Sequence, residues 1–115
     1  MPVQNARSGA LLAKTLVTVN SYFPRTIQHI SAHGIPGDSA LWINPCNSIH
    51  TVGMNKPIDI AFLDKNGRVV KMLRSFPPNC VAEAVDSAAS ALELPSNRLS
   101  ESGTARGDQL LLDPW

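Results

Sequence analysis

Residues 57–73 read PIDIAFLDKNGRVVKML, and the rest of the fold follows from them. Ile58, Ile60 and Phe62 alternate with smaller or polar residues, as one face of a strand does. Asp64-Lys65-Asn66-Gly67 then interrupts the run, and Val69 to Leu73 resumes it. Asn66 and Gly67 adopt positive φ at little cost, which a tight reversal needs. The pattern predicts an antiparallel hairpin with strands at about Ile58–Leu63 and Arg68–Leu73, closed by Pro77-Pro78.

Upstream, Leu11 to Val19 (LLAKTLVTV) is β-branched and alternates after Lys14, as a strand does. Phe23, Ile27 and Ile30 then change to helical spacing. Pro24 suits a first turn and Gly34 with Pro36 suits a stop, so a short helix is expected at about Pro24–His33. ALWI (residues 40–43) and SIHTV (48–52) read as short strands, followed by Gly53 and the loop Asn55-Lys56-Pro57. Residues 1–10 are polar and are expected to be a loose tail before one globular domain at 11–115.

Downstream, VAEAVDSAASALELP (81–95) is Ala-rich and favours a helix on propensity. Leu92 and Leu94, however, alternate around Glu93 as in a strand. PSNRLSESG (95–103) reads as a helix of one or two turns, and RGDQLLL (106–112) as a turn and a final strand.

At 115 residues the chain fits one domain, with 43% hydrophobic and 17% charged residues. Ten Lys and Arg balance nine Asp and Glu, and aromatic residues are 5%. A charge of +1 with no basic run gives no source of steering to nucleic acid or anionic membrane, and few rings on which bases could stack. No apolar stretch is long enough to span a bilayer, and the N-terminus lacks the apolar core of a signal peptide. Cys46 and Cys80 are too few for a disulfide framework. The expectation is a cytoplasmic protein with reduced thiols, without nucleic-acid or membrane partners.

PCNSIHTVGM (45–54) spaces a thiol, an imidazole and a thioether four residues apart. Cys46, His50 and Met54 would suit a soft ion such as Cu(I). On a strand, however, residues four apart lie roughly 13 Å from each other, and the prolines and Gly53 oppose a helix. Packing is the stronger reading: Cys46 as a small apolar group and Met54 as a core filler, against Phe62 or Leu63. In SIHTV, alternation sets Ile49 and Thr51 on one face and His50 and Val52 on the other. His50 is expected inside, held by a carboxylate, with Asp59 the first candidate and Glu93 and Asp108 the others. Such a pair could do acid–base work or be purely structural. Ser48 and Thr51 lie near His50, but there is no nucleophile elbow, and there is no P-loop, dinucleotide fingerprint or zinc motif. No cofactor is expected. Lys56, Lys65, Arg68, Lys71 and Arg74 read as a solvated surface around the hairpin, with a shallow anion site as the functional alternative.

Four blocks, PCNSIHTVGM, PIDIAFLDKNGRVV, LELP and GDQLLL, occur in an order and spacing that resembles the bacterial and archaeal family called domain of unknown function 192. The resemblance runs from about Ala40 to Leu112. It implies a strand rather than a helix at Ala91–Leu94. It also implies a mainly β (α+β) fold: one compact domain, a small antiparallel or mixed β-sandwich or partly open barrel, with one or two short helices. Two departures stand out. RTIQHISAHGI (25–35) replaces the family's Arg-x-x-Gly-Leu block, echoing it only at Arg25 and Gly34. Ser96-Asn97 replaces the usual Ala-Gly, and Asn tolerates left-handed geometry well enough to keep the turn. The resemblance assigns no residue an activity. The functional expectation is a binding or accessory module for a small ligand or protein partner, with a polar pocket near His50 drawn from His50, Thr51, Met54, Asp59, Glu93 and Asp108. The alternatives are a hydrolase-like enzyme using His50 with a carboxylate, and a soft-metal binder using Cys46, His50 and Met54.

Overall fold

The computed structural model describes residues 2–20 and 35–112. Among these the strands are β1 (Val3–Asn5), β2 (Leu11–Ala13), β3 (Thr15–Val19), β4 (Ser39–Ile43), β5 (Ile49–His50), β6 (Ile58–Leu63), β7 (Val69–Phe76), β8 (Val81–Ala82), β9 (Ser90–Pro95) and β10 (Leu110–Leu111). One helix, α1 (Arg98–Glu101), precedes β10. The helix expected at Pro24–His33 lies outside the described residues.

The hairpin forms as predicted, β6 pairing antiparallel with β7. Its turn is organised by Asp64, whose Oδ1 accepts the Asn66 N–H at 2.8 Å and the Arg68 N–H at 3.0 Å. Those two amides, Arg68 first, hold the half-buried Asp64 carboxyl below its ordinary range. Gly67 turns with φ of 82°, and a Cβ there would meet Gln109 Nε2 at 3.0 Å. Only glycine suits both the conformation and the approach of the C-terminal strand.

A five-stranded sheet in the order β3-β4-β9-β6-β7 is the frame. Its β3–β4 pair is parallel and its other pairs are antiparallel. A three-stranded sheet, β10-β1-β2, and a two-stranded ladder, β5-β8, complete the fold. The result is a mainly β single domain with no closed barrel among the described residues. The Ala-rich stretch ends in β9 rather than in a helix. There Ala91, Leu92 and Leu94 are completely buried between two neighbouring strands, and tertiary burial overrides propensity.

Strand alternation sorts the core into two layers. Ala61, Leu63, Leu92 and Leu94 meet Val3, Leu12 and Leu110 of the three-stranded sheet on one face. Ile58, Ile60, Phe62 and Ala91 meet Ile49 and Ala82 of the small ladder, together with Met54, on the other. All of β6 is therefore buried.

Of the segment expected as a loose tail, the described residues 2–10 are tied into the fold. Val3 and Asn5 are completely buried, and β1 pairs with both β2 and β10. Its polar residues are mostly exposed, but two of them, Asn5 and Arg7, tie the segment to the C-terminal region through a network. Asn5 Nδ2 donates to Asp108 Oδ2 at 2.9 Å, and Arg7 Nε donates to Asp108 Oδ1 at 2.7 Å. The strand expected from Leu11 to Val19 is broken at Lys14 into β2 and β3, which enter different sheets.

Candidate functional site

The loop from Thr51 to Pro57 is shaped by a buried hydroxyl. Thr51 Oγ1 donates to the Pro77 carbonyl at 2.7 Å and accepts the Cys80 N–H at 3.0 Å, joining β5 to the segment that follows β7. Gly53 bends the chain with φ of 89°, and its N–H donates to Asn79 Oδ1 at 3.1 Å. Met54 then turns inward to 6% exposure, within the layer that holds Phe62. Pro57 precedes β6 where no ladder donor is needed.

This loop is one wall of a cleft of about 540 Å³. The other walls are Ile35–Gly37, on the approach to β4, and Pro95-Ser96, at the end of β9. Each wall is fixed from behind. Arg98 donates through Nη1 to the Leu12 carbonyl at 2.7 Å and through Nη2 to the Gly37 carbonyl. The Ser96 hydroxyl is hydrogen-bonded to that of Ser75, whose N–H donates to Asp59 Oδ1 at 2.8 Å. A second groove, of about 470 Å³, lies beside Trp42 and the hairpin turn. The Trp42 Nε1–H is buried there without an acceptor among the described residues.

The structure separates most of the residues singled out in the sequence. Alternation along β5 is as read, with Ile49 and Thr51 buried and Val52 out, but it turns His50 to solvent. The inner side of β5 covers the sheet and its outer side is free, so the imidazole needs no buried partner. Asp59 does not hold His50. It lies opposite Leu94, on the sheet face that packs against the three-stranded sheet, whereas β5 lies over the other face. Its oxygens accept the Ser75 and Leu99 N–H groups, each at 2.8 Å.

Glu93 pairs across to Ile60 and so shares the β5 side, at 2% exposure. Cys46 is near it. Burial first, and the Glu93 charge in addition, push the Cys46 thiol above its ordinary range, and its Sγ donates to the Ser48 carbonyl at 3.0 Å. Asp108 belongs to the terminal network, its carboxyl held far below the usual range by Arg7, then Asn5 and the Ala105 N–H. Cys46, His50 and Met54 do not form one ligand set: His50 is in solvent and Met54 is in the core. Among the described residues no three His, Cys, Asp or Glu gather as a metal site. Cys46 and Cys80 are free thiols.

Of the pocket candidates drawn around His50, only Met54 lines the cleft, with Thr51 and Asp59 supporting it from behind. Lys56 lines it as well, the one member of the hairpin cations, read as a solvated surface or a shallow anion site, to do so. Asn55 and Ser96 were not singled out as site residues.

The model for domain of unknown function 192, described as an uncharacterized ACR, matches residues 25–112. The chain belongs to that family. Two solved structures share the fold of this family member. A protein of unknown function from Novosphingobium aromaticivorans DSM 12444 superposes with a TM-score of 0.75 at 16% identity, covering 100% of this chain and 84% of the other. A candidate transcription regulator from Sinorhizobium meliloti 1021 gives 0.72 at 16% identity, covering 95% and 88%. At that identity the likeness is one of fold alone. Among curated proteins, none matches. No helix among the described residues is long and apolar enough to cross a membrane.

Proposed function

We propose that this domain is a binding module that takes a small polar ligand in the cleft beside Met54–Ile58. The cleft itself carries the reading. Its volume of about 540 Å³ falls within the roughly 300–1,000 Å³ typical of small-ligand sites. Its walls are held by hydrogen bonds from Arg98 and Ser75, so a ligand would find them already in place. The expected pocket thus moves a few residues along the chain from His50, which is outside its lining. The enzyme alternative loses its first candidate carboxylate, because Asp59 is engaged with two backbone amides on the far face of the sheet.

The test is a fragment screen against isotope-labelled protein, followed by amide shifts. Hits that move Asn55, Lys56, Ile58 and Ser96 together support the module. A screen whose hits move only residues elsewhere, such as Trp42 and Leu110 in the second groove, contradicts it.

A further inference from the structure

Among the described residues Lys56 is the single charged side chain lining the cleft, and no carboxylate of theirs lines it. The side chain is exposed, and neither ion pair among the described residues involves it. Beneath it the lining is mixed: the nearly buried Met54 and Ile58, with Ile35, Pro57 and Pro95, form an apolar patch, and Asn55 and Ser96 stand beside it. Such a site offers one uncompensated positive charge at the rim next to a small apolar patch. A cation would meet only repulsion there. A neutral polar molecule would leave the ammonium unused, and a polyanion would find a second charge unmatched.

We infer that the ligand is a small organic acid with one carboxylate and a compact apolar body, the carboxylate meeting Lys56 and the body lying on Met54 and Ile58. This rests on the proposed binding function and narrows it to a ligand class. A charge-assisted hydrogen bond is stronger than a neutral one, and at a solvated rim it weakens as salt rises. The apolar body contributes through area removed from water, which salt does not screen.

The experiment uses three probes of one shape and different charge: benzoate, benzyl alcohol and benzylamine. Each is titrated into labelled protein at low and high ionic strength, with the Asn55, Ile58 and Ser96 amides as reporters. Benzoate is expected to bind about tenfold more tightly than benzyl alcohol, and benzylamine more weakly than either. Lys56→Gln should bring benzoate down to the alcohol's affinity, whereas Lys65→Gln, in the distant hairpin turn, should not. Both sites are exposed, so both variants should fold, and their amide dispersion verifies it. If benzyl alcohol or benzylamine moves the cleft amides as strongly as benzoate, the anionic assignment fails while the binding module stands. If none of the three moves them, the assignment fails, and the wider fragment screen decides whether the module fails with it.

Discussion

Asp59 Oδ2 accepts the Leu99 N–H at 2.8 Å, joining strand β6 to the first turn of α1 on one face of the main sheet. The residue that begins this helix, Asn97, has φ of 77° and gives no side-chain cap. Asp59 therefore does from a neighbouring strand what an N-cap residue does locally, and takes one of the orphan amides at the helix start. Its other oxygen takes the N–H of Ser75, itself at φ of 50°.

Removing that carboxylate leaves two amides without acceptors. Asp59→Ala should cost roughly 2–4 kcal/mol, and Asp59→Asn less, because one carbonyl oxygen remains. Urea unfolding measures both. A cost below about 1 kcal/mol for the alanine variant would show that water replaces the carboxylate freely.

Asp108 makes the fold acid-sensitive. Arg7, Asn5 and the Ala105 N–H lower its carboxyl in the folded state. A carboxyl lowered on folding stabilises the protein above its unfolded value of about 3.9, and that contribution is lost as pH falls through the folded value. The stability gap between the parent and Asp108→Asn should therefore be constant from pH 7 to about pH 5 and should narrow below about pH 4. Unfolding midpoints across that range give the answer. A gap that already closes near pH 6 would point to another group.

His50 and Met54 should behave oppositely although four residues separate them. His50 is exposed, so His50→Ala should change stability by no more than about 0.5 kcal/mol. Met54 is 6% exposed in the core layer, so Met54→Ala should cost about 2–5 kcal/mol and Met54→Leu under about 1.5. Thermal or urea unfolding of the three variants suffices. A large loss for His50→Ala would mean that the imidazole is held after all.

The hairpin, the short helix after Pro95 and the left-handed turn at Asn97 were legible because local chemistry and final environment agree there. The strand at Ala91–Leu94 was implied by the family resemblance, against the helix that its Ala-rich approach favours. Asn66-Gly67 wants the reversal it makes, and Asn97 wants positive φ. Alternation in SIHTV was also legible, but it names two faces without saying which one is inside. Ile49 settles that only once β5 has a sheet to cover. Asp59 looked like the polar side of an amphipathic strand, whereas β6 is covered on both faces and its carboxylate serves backbone amides from distant elements. Val3–Asn5 could not be read as a strand, because its pairing partners lie at Leu11–Ala13 and Leu110–Leu111. The cleft draws on three separate segments, Ile35–Gly37, Met54–Ile58 and Pro95-Ser96, and no local pattern reports such a meeting.

The claim that this cleft is a binding site is tested most directly by filling it. Asn55 is exposed on its wall, so Asn55→Trp should occlude the space while changing stability by no more than about 0.5 kcal/mol. Isothermal titration of the tightest-binding fragment should then show heat with the parent and none with the folded variant. Undiminished binding by the blocked, stably folded protein would place the ligand elsewhere and contradict the account.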